Sequence, residues 1–175
     1  MLSLMMNDAA AETLGFPAGR PTLAPPDGLA PRLRVRLSEG ITRRGEVLSW
    51  TRSTGYANSA PSVARDLTDW ECADSSFHLE DYVPVDARTV DDVPQISEHD
   101  QRILLLHGIA FAMEFRQLVN GLDAPEPVRC IIGANESSAT FRFHQIRRGE
   151  SWHDTDLDRY QTEKIVVIDL KPADN

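Results

Sequence analysis

Four basic side chains stand close together in the stretch CIIGANESSATFRFHQIRRGESW, residues 130–152: Arg142, His144, Arg147 and Arg148. Alternate residues of a strand point to the same face, so Arg142 and His144 would lie side by side. A histidine beside an arginine could act as a general acid in phosphodiester cleavage, so a small RNase-like enzyme is one alternative. The same pair could instead form the solvated face of a sheet or the charged rim of an interface, because the sequence places no second base or carboxylate beside it.

Motifs of other catalytic classes do not occur in the sequence. The histidines form no His-x3-His pair and there is no Cys-x-x-Cys, so no metal site is predicted. There is no Gly-x-Ser-x-Gly elbow and no glycine-rich phosphate loop. Cys72 and Cys130 lack an adjacent histidine and are predicted to be buried thiols. We therefore predict no catalytic residue, no metal and no cofactor.

The charge of the chain is concentrated in one segment. Residues 66–100 hold eleven acidic side chains against Arg88 alone, a net charge of −10, whereas the whole chain carries −9. An acidic surface disfavours a nucleic-acid partner, attracts basic proteins and speeds their encounter. The alternative is that these acids only keep the protein soluble.

Aromatic residues lie among these carboxylates, which is typical of a protein-binding surface. The rings would supply desolvated anchor area and the charges would supply steering and register. The candidate partner-binding residues are Asp69, Trp70, Glu71, Asp74, Phe77, Glu80, Asp81, Tyr82, Asp91 and Asp92.

The first half of the chain predicts an arm followed by short strands. Residues 1–31 are expected to be a flexible N-terminal arm, because 15–31 hold five prolines and three glycines. Leucine, valine and arginine alternate in 32–40, which predicts a half-buried strand with a basic outer face. A second strand is expected within 45–53, and one or two short strands within 69–85. An acidic loop is expected to follow at 86–95.

A long helix is predicted from Glu98 to Asn120. Ser97 is a suitable N-cap, and acidic residues occupy the first turn. Apolar side chains recur at helical spacing over a wide arc, so the helix should pack across a sheet. Gly121 is expected to end it in the left-handed conformation.

Strand patterns dominate the last third. Residues 128–134 and 164–170 are almost continuously apolar, as central strands are, whereas 139–146 alternates. The predicted fold class is α+β, an antiparallel sheet with one long helix packed on a face, in a single domain over 32–175. No segment is long enough to span a bilayer and the N-terminus lacks a basic signal region, which favours a cytoplasmic protein without a membrane partner.

The run RCIIGANESSATFRFHQIRRGESW, followed by LDRYQTEKIVVIDL, resembles small bacterial immunity proteins of contact-dependent growth inhibition and other polymorphic toxin systems. The likeness covers about 50 residues, from Val128 to Leu170. It implies a cytoplasmic protein that is no enzyme and binds one cognate toxin domain, often a nuclease with a basic cleft. It supplies no fixed binding residues, so the candidates above depend on charge and aromatic position alone.

Three functions therefore stand as expectations. The first is an immunity protein that neutralises a secreted toxin domain through its acidic surface. The second is the phosphodiesterase or RNase-like enzyme that uses His144 and Arg142. The third is a structural or scaffold subunit, which could assemble through an open sheet edge.

Overall fold

Short strands and helices precede one long helix and three long strands in the computed structural model, which describes residues 1–19, 21–54, 64–86, 88–90 and 93–172. The strands are β1 (Leu2–Met6), β2 (Ile41–Arg44), β3 (Val47–Trp50), β4 (Phe77–His78), β5 (Arg88–Val90), β6 (Val93–Gln95), β7 (Val128–Ala134), β8 (Ala139–Gln145) and β9 (Lys164–Leu170). The α-helices are α1 (Asp8–Thr13), α2 (Pro31–Ser38), α3 (Leu67–Ser75) and α4 (Glu98–Asn120). Single 3-10 turns span Leu79–Asp81 and Leu157–Arg159.

Five strands form one antiparallel sheet in the order β1–β9–β7–β8–β4. The pairs β2–β3 and β5–β6 are separate hairpins. Helix α4 crosses one face of the sheet and contacts β7, β8 and β9. The predicted α+β class, with a long helix packed on an antiparallel sheet, is confirmed. The face of the five-stranded sheet that lies opposite α4 is called the outer face of the sheet below.

Helix α4 begins and ends where the sequence predicts, but Gly121, the residue that follows it, does not adopt the predicted conformation. Ser97 caps the first turn, since its Oγ accepts a hydrogen bond from the Asp100 N–H at 3.1 Å. Gly121 has a φ of −84°, in the right-handed region, and its N–H donates to the Gln117 carbonyl at 3.0 Å. The expectation that Gly121 adopts the left-handed conformation is therefore wrong, because its backbone stays in the right-handed helical region.

A glycine inside α4 sets how closely the helix approaches the sheet. A methyl group added to Gly108 would lie 2.7 Å from the Ile132 Cγ2 atom of β7. Around this contact, Leu104, Phe111 and Phe115 are buried in the main apolar core. The close approach packs these side chains against the sheet at interior density.

Both faces of the sheet are partly covered, which explains the apolar sequences of β7 and β9. Cys130 and Ile132 of β7 belong to the main core, whereas Ile131 belongs to a smaller cluster on the outer face. Cys72 of α3 lies in that smaller cluster, so the two free thiols occupy different cores. Burial raises the pKa of the Cys72 thiol to about 12 and that of Cys130 above its ordinary value, as expected for unreactive structural cysteines.

Residues 1–31 do not form a separate arm. Strand β1 pairs with β9 from Leu2 to Met6, opposite Leu170 to Val166, and completes the main sheet. Ala10 and Leu14 are fully buried in the main core. Leu29 and Ala30 are also buried in the main core, directly before Pro31 begins α2, so the predicted boundary at residue 32 is not observed.

Three other sequence-based assignments are corrected. Residues 31–38 form a helix instead of a strand, in which Leu33 and Leu37 are buried while Val35 is 65% exposed. Of residues 69–85, where one or two short strands were expected, the first part belongs to helix α3 and the strand β4 is found at Phe77–His78. The expected loop at 86–95 contains the hairpin strands β5 and β6. No helix among the described residues is long and apolar enough to cross a membrane.

Candidate functional site

Helix α3 covers the open edge of β8 with polar side chains. Ser75 Oγ accepts a hydrogen bond from the Phe143 N–H and donates one to the Phe143 carbonyl, both at 2.8 Å. Glu71 Oε2 accepts from the Gln145 N–H at 2.7 Å. Four residues of a helix and two residues of a strand both advance by about 6 Å. Residues four apart on α3 can therefore form hydrogen bonds with alternate residues of β8.

Glu71 is the centre of this contact and is fully buried. Its carboxylate also accepts hydrogen bonds from the Leu48 N–H at 2.6 Å and from both terminal nitrogens of Arg147 at 2.7 and 2.8 Å. The pair joins α3, β3 and the end of β8 in one network. Contrary to the sequence-based prediction, Glu71 is not available to a partner, because Arg147 neutralises it inside the protein.

The other predicted partner-binding residues divide between the core and the surface. Phe77 is 8% exposed and packs within the main core, so it too is not available to a partner. Glu80 accepts a hydrogen bond from the Ala139 N–H at 3.0 Å, and half-buried Tyr82 packs edge-on against Phe77. Asp81 is exposed. Asp91 and Asp92 lie outside the described residues.

The structure brings three of the predicted residues together on the solvent side of α3. We call this surface the α3 outer face, formed by Asp66, Asp69, Trp70, Ala73 and Asp74. A hydrogen bond from the exposed Arg65 lowers the pKa of Asp69, and Asp74 accepts a hydrogen bond from the Ser53 hydroxyl. Trp70 is half-buried, so part of its ring is accessible, and it is part of neither apolar cluster. An aromatic side chain is thus presented among carboxylates on a helix whose opposite side is held by Glu71 and Ser75.

Arg142 and His144 share the outer face of β8, as their spacing predicts, but only Arg142 is accessible. His144 is 1% exposed, and its Nδ1–H donates to the Gln145 carbonyl at 2.6 Å. Its Nε2 is buried without a hydrogen-bond partner among the described residues. A general acid must reach its substrate, so this arrangement does not favour the RNase-like alternative.

The buried His144 and the half-buried His107 should make the protein less stable at mildly acidic pH. Burial lowers the pKa of His144, which faces Arg129, Arg147 and Glu71, and burial also lowers the pKa of His107. A depressed pKa means that the unfolded chain takes up protons first, so the stability is complete above a pH of about 6.5 and falls as the pH drops below it. The expected decrease is at most about 1.4 kcal/mol per pH unit for each histidine.

Urea unfolding at a series of pH values checks this expectation. The variant His144→Gln should flatten the dependence between about pH 7 and pH 5, whereas the exposed His99→Gln should not. An unchanged slope in His144→Gln would contradict the assignment.

A pocket of about 210 Å³ opens on the outer face of the sheet, and we call it the sheet-face pocket. The Arg142 guanidinium lies over the Trp152 ring, 4.9 Å from its centroid, and donates to the Thr140 hydroxyl at 3.2 Å. The segment that contains Trp152 and Tyr160 folds over the sheet and forms the opposite wall. The residues with polar or aromatic groups at the pocket include Thr140, Arg142, Trp152, His153, Tyr160 and Glu163.

Glu163 reaches the sheet-face pocket across a glycine. A methyl group added to Gly133 would lie 2.2 Å from Glu163 Oε1, so only a residue without a side chain admits the carboxylate here. Burial raises the pKa of Glu163, while the charge of Arg142 opposes that shift. Among the described residues, the Glu163 carboxylate accepts no hydrogen bond and forms no ion pair with Arg142.

A hydrogen-bonded network holds one wall of the pocket. Arg129 forms two hydrogen bonds with the Asp169 carboxylate, at 2.6 and 2.8 Å, and contacts His153 Nε2 at 3.1 Å. His153 Nδ1 lies 2.6 Å from the Asp154 carbonyl. Arginine can only donate and a carbonyl can only accept, so His153 is the neutral tautomer with its proton on Nδ1.

Asn7 fixes the segment that leads to Glu163. Its Nδ2 donates to the Tyr160 carbonyl at 3.3 Å and to the Glu163 carbonyl at 2.8 Å. Its Oδ1 accepts from the N–H groups of Ala10 and Ile165, both at 3.0 Å. A buried side chain from the predicted arm therefore holds the backbone of the pocket.

Sequence reasoning missed this pocket, although one signal pointed to it. A lone glycine in an apolar strand, as at Gly133, often marks a close approach by another group. Asn7 gives no comparable signal for this role, because Tyr160 and Glu163 lie more than 150 residues away in the chain. Among the described residues, no group of three or more His, Cys, Asp or Glu side chains is arranged to hold a metal ion.

Comparison with known proteins gives one finding. The model of the family described as "Uncharacterized protein PM0498 family" matches residues 24–175. The matched region contains α3, α4 and the sheet-face pocket, but not β1 or α1. No curated protein and no solved structure matches the chain.

Proposed function

The chain belongs to the uncharacterized protein PM0498 family, and we propose that it is an immunity protein that binds and neutralises a cognate secreted toxin domain in the cytoplasm. The α3 outer face is the docking surface in this proposal. The observation that carries it is Trp70, half-buried among Asp66, Asp69 and Asp74 and outside both apolar clusters.

The α3 outer face has the physical properties of a binding surface. The inner side of α3 is fixed to β8 by Glu71 and Ser75, so little conformational entropy remains to be lost when a partner docks. Tryptophan is among the residues that contribute most to binding energy at protein interfaces. The surrounding carboxylates would align a basic partner and speed its approach.

A toxin that cleaves nucleic acid suits this surface best. Its active-site cleft must be basic in order to bind a phosphate backbone. Carboxylates placed over that cleft would compete with the substrate through the same electrostatic attraction. The proposal requires no catalytic group from this chain.

The test is co-expression with the protein encoded beside this chain in its genome, read out as growth and as co-purification. Wild-type protein is expected to rescue growth and to form a one-to-one complex. The triple variant Asp66→Lys, Asp69→Lys, Asp74→Lys should lose rescue and should slow association, most strongly at low salt. Trp70→Ala should weaken the complex by about 2 kcal/mol or more, through faster dissociation.

A matched control reverses three exposed acids elsewhere on the protein: Glu12, Asp123 and Glu126. It makes the same change in net charge but should retain rescue. An equal loss of rescue in both triple variants would mean that only the net charge of the protein matters. Retained binding in the α3 variant would mean that the docking surface lies elsewhere. Either result contradicts the proposed surface.

A further inference from the structure

The sheet-face pocket contains two opposite charges that do not pair with each other. Within the part of the chain that the structure describes, the Arg142 guanidinium donates one hydrogen bond, to the Thr140 hydroxyl, and it stacks on Trp152. The Glu163 carboxylate makes none among the described residues, although it is half-buried. Partial burial of an unpaired charge is unfavourable. Two such charges at one cavity therefore indicate a binding site for a ligand that lies between them.

The neighbouring ion pairs show that the protein can pair its charges when they serve structure alone. Arg129 and Asp169 form a two-point ion pair on the same outer face, and Arg147 and Glu71 form another at the end of β8. Arg142 and Glu163 are not joined in this way. Groups with shifted pKa values in a cleft, and groups left unsatisfied, occur preferentially at functional sites.

The size of the pocket limits the ligand. Its volume of about 210 Å³ is below the range typical of drug-sized ligands, about 300–1,000 Å³. It corresponds to the volume of about seven water molecules in the liquid. The walls add the Trp152 ring and the side chains of Ile131 and Ile165, so the middle of the ligand would meet apolar surface.

We propose that the sheet-face pocket binds a small zwitterion of the size of a free amino acid, with its carboxylate on Arg142 and Thr140 and its ammonium group on Glu163. Arginine is suited to a carboxylate because two of its N–H groups can donate in parallel. The Thr140 oxygen accepts from Arg142, which leaves the hydroxyl proton free to donate to the ligand. The ammonium group of the ligand would be the positively charged partner of the Glu163 carboxylate. The site is independent of the α3 outer face.

Gly133 allows a test that separates binding from folding. Its backbone is ordinary strand, and an added methyl group would meet the flexible end of Glu163 instead of rigid backbone. Gly133→Ala should therefore fold normally and displace the Glu163 carboxylate. Arg142→Gln and Glu163→Gln remove each charge with little change in shape.

The experiment measures thermal unfolding of the full chain with each of the twenty free L-amino acids at millimolar concentration, followed by calorimetric titration of those that stabilise it. For each such amino acid, the matching acid without the amino group and the matching amine without the carboxyl group are titrated as well. Variants at two exposed positions outside the pocket, Arg148→Gln and Glu126→Gln, serve as matched charge controls. Circular dichroism establishes that every variant is folded.

At least one amino acid is expected to bind the wild type and both control variants equally well. Its affinity should fall at least about tenfold in each pocket variant, and each one-charge analogue should also bind at least about tenfold more weakly. The proposal is overturned if no amino acid binds, if an analogue binds as tightly as the zwitterion, or if the three pocket variants bind as the wild type does.

Discussion

Glu71→Ala is expected to lower the free energy of unfolding by about 3–5 kcal/mol, because it leaves the half-buried positive charge of Arg147 without its carboxylate partner. It also removes the acceptor for the buried N–H groups of Leu48 and Gln145. A domain of this size is stable by only about 5–15 kcal/mol, so a large part of its stability would be lost. Urea unfolding, followed by circular dichroism, measures the change.

Asp69→Ala is the matched control for this prediction, because the same helix carries both acids. Asp69 pairs with Arg65, which is exposed to solvent, and exposed pairs contribute little. The free energy of unfolding should therefore fall much less in Asp69→Ala than in Glu71→Ala. In the double variant Glu71→Ala with Arg147→Ala, part of the stability should return, because the unpaired charge is gone. Similar losses for Glu71→Ala and Asp69→Ala would refute the structural role assigned to Glu71.

Asn7→Asp is expected to lower the free energy of unfolding by about 2–4 kcal/mol, although the two side chains have almost the same shape. The change replaces the Nδ2 donor with an oxygen that faces the carbonyls of Tyr160 and Glu163 at about the present 3.3 and 2.8 Å. The two hydrogen bonds are lost, and the carbonyl oxygens of Tyr160 and Glu163 then face a carboxylate oxygen, which is also an acceptor. The loss should be measured by urea unfolding near neutral pH, where the new carboxyl group ionises in the unfolded chain.

The control for Asn7→Asp is the same substitution at Asn120, which is exposed at the end of α4. Its effect should stay within about 1 kcal/mol, the range of a charge near a helix end. Asn7→Asp should also make the chain between Tyr160 and Glu163 more susceptible to limited proteolysis. If Asn7→Asp and Asn120→Asp unfold at the same urea concentration, Asn7 does not hold this segment.

The elements that the sequence predicts correctly are those with long or strong local patterns. Helix α4 has twenty-three residues of apolar periodicity, a serine at its N-cap and acids in its first turn. Strands β7, β8 and β9 have the apolar or alternating patterns of strands. Such patterns reflect which face each residue presents, and a long run leaves little ambiguity between the helical and strand periods.

The elements that the sequence predicts wrongly are short or carry polar residues on their buried side. In α2, alternation over eight residues fits a strand as well as a helix, and only burial of Leu33 and Leu37, four residues apart, reveals the helix. In α3, the buried positions include Thr68, Glu71 and Ser75, so its inner face does not look apolar. These polar side chains are buried because backbone groups of β3 and β8, and the side chains of Arg147 and Glu150, satisfy them.

The fold class, the long helix and the three long strands could be predicted from the sequence, because the apolar patterns that indicate each element are local in the chain. The tertiary structure decided which charges are available. Glu71 and Arg147 are 76 residues apart, and Asn7 and Ile165 are 158 residues apart. Whether a polar group is neutralised, left open or buried depends on the partner that folding brings to it, because hydrogen bonds and charge pairs act at short range in space at any separation along the chain.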